Sequence, residues 1–311
     1  MVFFFYGPNT YAARQQLAKL VVEYEKKTGS NLGLERIDGA KVKPAELNAS
    51  LQAAPFLATS RLVIVEDLGA NKAVAATIDR YLKNIPATTV AVFYDPNVDQ
   101  RTGYFKSISK AAKTVKFEPL STAKLHQWVA RQVEASGVEI ERPAVGRLLD
   151  VAGEDQWRLA NEIAKLATHH SPITVTAVDL MVEESHTETI FNLVEAMTAG
   201  KVDVALPLYR RLRQDGNNEV YMLSMIIWQL RNLLLAKAAG KVSPAELAKA
   251  ASMSSFVAGK MLTKRHLFSE EQLKSAFLQA VDTDYQIKSG AGTADVLVEQ
   301  LLFRVASRVT A

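Results

Sequence analysis

The chain has 311 residues, 48% of them hydrophobic and 23% charged, which is enough for two or three domains with packed cores. It contains no Cys, which excludes a disulfide framework, thiolate metal ligands and a Cys nucleophile. Lys and Arg outnumber Asp and Glu by 37 to 33, a net charge of +4 that is compatible with nucleic acid without pointing to it.

The N-terminal "MVFFFYG" has neither a basic leader nor a cleavage pattern, so it reads as a first strand. No apolar run anywhere approaches the roughly 18 residues of a membrane span. After the Gly turn, "TYAARQQLAKLVVEYEKK" places Ala13, Leu17, Leu20, Val21 and Tyr24 at helical spacing. A short amphipathic helix with Leu47 and Leu51 four apart runs into Pro55. "RLVIVEDL" and "TTVAVFYD" are continuous apolar strands. A helix around "YFKSISKAAK" leads to a shorter strand in "TVKFEPL". Apolar strands separated by helices predict a parallel sheet covered on both faces, so residues 1–120 read as an α/β domain with βαβ connectivity.

From Ser121 onward the pattern predicts helices only. "STAKLHQWVARQVEASG" has a Ser/Thr start, an amphipathic run and a Gly stop, and "RPAVGRLLDVAG" repeats that grammar. "DQWRLANEIAKLATHH" and "TVTAVDLMVEES" follow, making a small helical domain over 121–187. A second all-helical domain over 188–311 starts near "TIFNLVEAMTAG" and contains the long apolar "EVYMLSMIIWQLRNLLLAKAAG".

Few residues carry recognisable chemistry. The turn "YGPNTYAARQ" stands where an α/β domain seats a nucleotide phosphate. It has Gly7 but neither the second Gly nor the Lys of a phosphate loop, and Pro8 removes a backbone donor. Glu66 and Asp67, at the end of their strand, read as solvated or as a helix start. His126, His169, His170, His186 and His266 lack metal-ligand spacing. Tyr285 with Lys288, beside a Gly-rich break, has the makings of a base stack and a phosphate contact, though a half-buried Tyr is the commoner case. The segment "APFLATSR" is the odd one. Phe56 and Leu57 are adjacent large apolar residues just before a strand, after Pro55. Either they tuck beneath the sheet edge or at least one faces solvent for a partner.

Taken in order, "FFFYGPNTYAARQQL", "APFLATSRLVIVED", "AGEDQWRLANEIAKL", "MIIWQLRNLLLAK" and "DTDYQIKSG" resemble the delta subunit of the bacterial DNA polymerase III clamp loader, over essentially the whole chain. The resemblance implies α/β plus all-α architecture: an AAA+-like parallel-sheet domain (1–120) without a working phosphate loop, a helical lid (121–187) and a helical collar (188–311) through which five subunits pack. It implies a cytoplasmic, itself non-catalytic part of a nucleotidyltransferase holoenzyme, with no catalytic residue, metal or cofactor of its own, ATP being bound by other subunits. The implied partners are the sliding clamp (beta), the gamma/tau and delta prime subunits and primer-template DNA, with no membrane. Phe56 and Leu57, preceded by Pro55 and followed by Arg61, fall on the pair that enters the clamp's pocket. Tyr285 and Lys288 fall where the collar faces DNA. An ATP-hydrolysing AAA+ protein and a DNA-binding helical regulator are the alternatives.

Overall fold

A computed structural model describes residues 1–56 and 58–307. The chain divides into two compact units, Met1–Leu120 and a second that begins at Ser121.

The first unit holds five parallel strands: β1 (Val2–Tyr6), β2 (Leu34–Asp38), β3 (Arg61–Glu66), β4 (Thr89–Asp95) and β5 (Lys113–Lys116). They lie side by side in the order β2-β3-β4-β1-β5. The helices are α1 (Thr10–Thr28), α2 (Pro44–Gln52), α3 (Lys72–Ala75), α4 (Ile78–Leu82) and α5 (Gly103–Ala111). Successive strand residues point to opposite faces, so each apolar strand feeds two cores. Phe4, Val63, Val65 and Phe93 pack with Leu47 and Leu51 of α2, Ile78 of α4 and Ile108 of α5. Phe5, Leu62, Ile64 and Val92 pack with Ala13 and Leu17 of α1. At roughly 1.5–3 kcal/mol per fully buried apolar side chain, this double burial is what makes β1, β3 and β4 legible as unbroken apolar runs.

β2 has no counterpart in the sequence reading. Its residues Leu-Glu-Arg-Ile-Asp carry three charges, and among the described residues only β3 pairs with it. Edge strands are commonly charged, and a charged edge strand lacks the apolar run that marks a buried one. β5, at the other edge, is mostly exposed and spans only Lys113–Lys116 of the "TVKFEPL" segment.

The second unit is helical among its described residues, as the capping grammar predicts. Its first four helices are α6 (Thr122–Ala135), α7 (Arg142–Ala152), α8 (Gln156–Ala167) and α9 (Val175–Met181). One feature departs from all-helix: Ile140 and Ile173 form an isolated parallel bridge, with Ile173 N donating to Glu139 O at 2.8 Å and Glu141 N to Ile173 O at 3.0 Å. Seven further helices follow: α10 (His186–Thr198), α11 (Val202–Gln214), α12 (Glu219–Ala238), α13 (Pro244–Ala251), α14 (Ser255–Lys264), α15 (Glu270–Lys288) and α16 (Ala294–Ser307). They share one core, in which Met222, Ile226 and Leu230 of α12 meet Tyr209, Leu273 and Leu301. Side-chain oxygens of Asp155, Thr174, Ser185, Asn218, Ser243, Ser254 and Ser269 cap the starts of α8, α9, α10, α12, α13, α14 and α15. Among the described residues no helix is long and apolar enough to cross a membrane.

Candidate functional site

The two ends of the segment between α2 and β3 are held to the sheet. Ala53, with φ −60° and ψ 135°, ends α2. Arg61, the first residue of β3, reaches back so that Nη1 donates to Ser50 O at 2.7 Å and Ala53 O at 3.2 Å. Its Nη2 meets Glu35 of β2 at 2.5 Å, and Ser50 Oγ donates to the same carboxylate at 2.5 Å. One guanidinium thus caps the carbonyls at the end of α2 and ties both ends of the segment to the sheet. On this base Phe56 is 80% exposed and Pro55 half-buried. Phe56 belongs to neither core of the unit. Leu57, its predicted companion, lies outside the described residues. Arg61 follows Phe56 and Leu57 in the resemblance; one of its three anchors is Glu35 of β2.

At the opposite end of the sheet stands the nucleotide-type turn. Gly7 has φ +112°, and a Cβ placed there would come within 2.4 Å of Phe117 O. Gly7 N donates to Pro96 O, Asn9 N to Phe117 O and Thr10 N to Pro8 O, and Pro8 has no N–H. Positions 7–10 therefore hold no uncommitted amide with which to cradle a phosphate. Asn9 caps α1 through Oδ1, which accepts from Ala12 N at 3.0 Å, and its Nδ2 donates to Glu118 O. Arg14 of α1 lies over the Tyr94 ring, with its guanidinium carbon 5.0 Å from the ring centroid, and pairs with Glu66 at 2.6 Å. Arg36 approaches the same carboxylate at 3.5 Å. Glu66 is thus not the solvated strand end its position suggests; two cations from α1 and β2 close on it. Its partners are far apart in sequence, so no local pattern announces them.

Asp95, the last residue of β4, is 4% exposed. Its Oδ1 accepts from Gly69 N at 3.0 Å and its Oδ2 from the Tyr104 hydroxyl. Burial holds this carboxyl above the usual carboxylate range, against the opposing effect of its two hydrogen bonds.

In the helical unit, Tyr285 on α15 is 70% exposed, and so is not the half-buried Tyr of the common case. Lys288 follows three residues later on the same side of the helix and pairs with Asp284 at 2.6 Å. The Lys288 side of that pair is open to solvent, so the ammonium is held only weakly. Lys260 of α14 lies 2.7 Å from Glu188 of α10 and 3.6 Å from Asp150 of α7. Burial raises the Glu188 carboxyl above its usual range despite that cation. No group of His, Asp and Glu among the described residues is arranged to hold a metal.

The parallel sheet with helices on both faces, followed by a helical half, is of the α/β plus all-α class. The DNA polymerase III, delta subunit family matches residues 3–118, and the DNA polymerase III delta subunit, C-terminal domain family matches residues 187–305. The chain belongs to the DNA polymerase III delta subunit family. It is similar to the DNA polymerase III subunit delta of Bacillus subtilis, 23% identical over 99% of this chain and 93% of that one. It is also similar to a probable DNA polymerase III subunit delta of Aquifex aeolicus, 21% identical over 72% of this chain and 67% of that one. Its fold resembles the solved Bacillus subtilis DNA clamp loader delta protein, with a TM-score of 0.64 and 20% identity over 98% and 95% of the two chains.

Proposed function

We propose that this chain is the delta subunit of a clamp loader and that the corner between α2 and β3 is its clamp-binding element. Phe56, with Pro55 and Leu57 beside it, enters an apolar pocket on the sliding clamp and binds the opened ring better than the closed one. Clamp opening is then a population shift set by that difference in affinity, and no bond is made or broken by this subunit. The first unit carries the corner, residues 121–187 form a lid and residues 188–311 a collar. The collar packs against the gamma/tau and delta prime subunits, and Tyr285 and Lys288 face primer-template DNA from it. The complex works in the cytoplasm.

One observation supports this reading above the others: a large aromatic ring held almost wholly in solvent on a base fixed by Arg61. An ordered, exposed aromatic is the usual anchor of an interface, and a fixed base lowers the ordering cost of docking. The test is capture of the clamp by surface-immobilised chain. Phe56→Ala weakens capture by roughly 30-fold, the equivalent of ~2 kcal/mol for a hot-spot aromatic, and leaves the melting temperature unchanged. Undiminished capture by Phe56→Ala removes the corner from the mechanism.

A further inference from the structure

A cavity of about 800 Å³ opens at the carboxyl ends of β3 and β4, and neither the nucleotide-type turn nor the Phe56 corner uses it. β3 runs from the corner to the cavity, so the two are separated by roughly 16 Å of strand. The cavity is flanked by α3 and α5, which pack on the Phe4 face of the sheet, whereas α1 and its turn serve the Phe5 face. Its walls include apolar Ala70, Ala75, Ala76 and Val98 beside polar Asn97, Thr102 and Ser107. Its charged lining is mostly of one sign: Asp67, Asp95 and Asp99 against Lys72.

These carboxylates are not equivalent. Asp95 is saturated by Gly69 N and Tyr104, and Asp99 is paired with Arg101 at 2.8 Å. Asp67 is exposed, and among the described residues its side-chain carboxylate accepts from no donor. Burial of part of the group and the neighbouring Glu66 charge raise its carboxyl above the ordinary range, against the opposing pull of the Arg14 cation. Asp67 has φ 55°, a conformation that Asp and Asn tolerate better than most residues. A cavity with apolar wall segments and, at its mouth, one carboxylate that accepts no side-chain or backbone hydrogen bond is complementary to a molecule with an apolar body and a single positive head.

We propose that this cavity binds a small organic cation, an amidinium, guanidinium or ammonium on a flat or aliphatic body, with Asp67 as the counter-charge and Lys72 as the opposing one. The volume lies in the range of small-molecule sites and exceeds the needs of one inserted side chain, which favours a free ligand over an Arg presented by a partner.

The test is calorimetric titration of the full chain with benzamidine, with uncharged benzamide as its isostere and acetyl-arginine amide as the side-chain mimic. Benzamidine should bind saturably at one site, at least threefold tighter than benzamide or acetyl-arginine amide. Asp67→Asn should weaken benzamidine about two- to threefold and leave benzamide unchanged, as one charge about 5–8 Å away in a wet mouth predicts. Lys72→Ala should tighten benzamidine by a similar factor. Ala76→Phe, at an exposed position on the cavity wall, should abolish both while the melting temperature holds. Absence of saturable binding, equal affinity for benzamidine and benzamide, or indifference to Asp67→Asn or Ala76→Phe overturns the proposal. Tighter binding of acetyl-arginine amide overturns the assignment to a free small molecule.

Discussion

At the scale of single residues, the informative groups are those whose partners lie far away in sequence. Asp95 is buried with two donors, and the Tyr104 hydroxyl is the one that a single change removes cleanly. Tyr104→Phe keeps the ring and deletes the O–H, leaving a buried oxygen without a partner, which costs about 1–3 kcal/mol. The pH dependence follows from the raised Asp95 carboxyl. Because the folded chain holds this proton more tightly than the unfolded one, whose Asp titrates at ~4, stability falls as pH rises through the window between the two values. Loss of the Tyr104 donor widens that window upward. Asp95→Asn removes the titration and flattens the profile, its amide being able to serve both Gly69 N and the Tyr104 oxygen. Urea midpoints at a series of pH values check this; identical profiles for Asp95→Asn and the parent would refute the assignment. Lys260 is the corresponding case in the helical unit. Lys260→Met leaves Glu188 buried without its cation, a loss of roughly 3 kcal/mol above the raised Glu188 value that shrinks as acid protonates the carboxyl.

At the scale of elements, the nucleotide-type turn shows how a strand-turn-helix frame persists with its amides committed to its own chain. Gly7 is needed there for two reasons, a positive φ and the Phe117 carbonyl that a side chain would strike. Gly7→Ala should therefore destabilise the first unit by roughly 1–3 kcal/mol, read as a lower midpoint in thermal denaturation. A mutant melting with the parent would mean that the turn relaxes without cost. The strands β1, β3 and β4 were legible because burial on both faces requires unbroken apolar runs, and the helices because Ser, Thr, Asp and Asn caps stand at so many of their starts. β2 was not legible, since an edge strand of Leu-Glu-Arg-Ile-Asp resembles a polar loop. The candidate site divides along the same line. Phe56 could be picked out because a large apolar residue in a polar corner is anomalous in sequence. The anchoring of Arg61, the closing of Arg14 and Arg36 on Glu66, and the Asp67 cavity could not, because each depends on residues brought together only by the sheet.

At the scale of the whole molecule, the described core residues of the sheet and the corner proposed to meet the clamp all lie in the first unit. Both faces of its sheet are covered by helices drawn from residues 1–120, and the Arg61 anchors to Ser50, Ala53 and Glu35 all lie within those bounds. The ring of Phe56 is presented by this unit alone. A fragment ending at Leu120 should thus unfold in a single cooperative transition and capture the clamp with an affinity within about threefold of the full chain, since groups that share no partners contribute nearly independently. Within that fragment Arg61→Ala should weaken capture with Phe56 still in place, because the corner must then be ordered at the moment of docking, at ~0.5–1.5 kcal/mol for each side chain immobilised. Denaturation followed by circular dichroism, paired with clamp titration of the same samples, separates the two claims. A fragment that folds cooperatively but binds far more weakly than the intact chain would place part of the clamp contact beyond Leu120, and an Arg61→Ala fragment that binds at full strength would show that the rigidity of the corner plays no part in recognition.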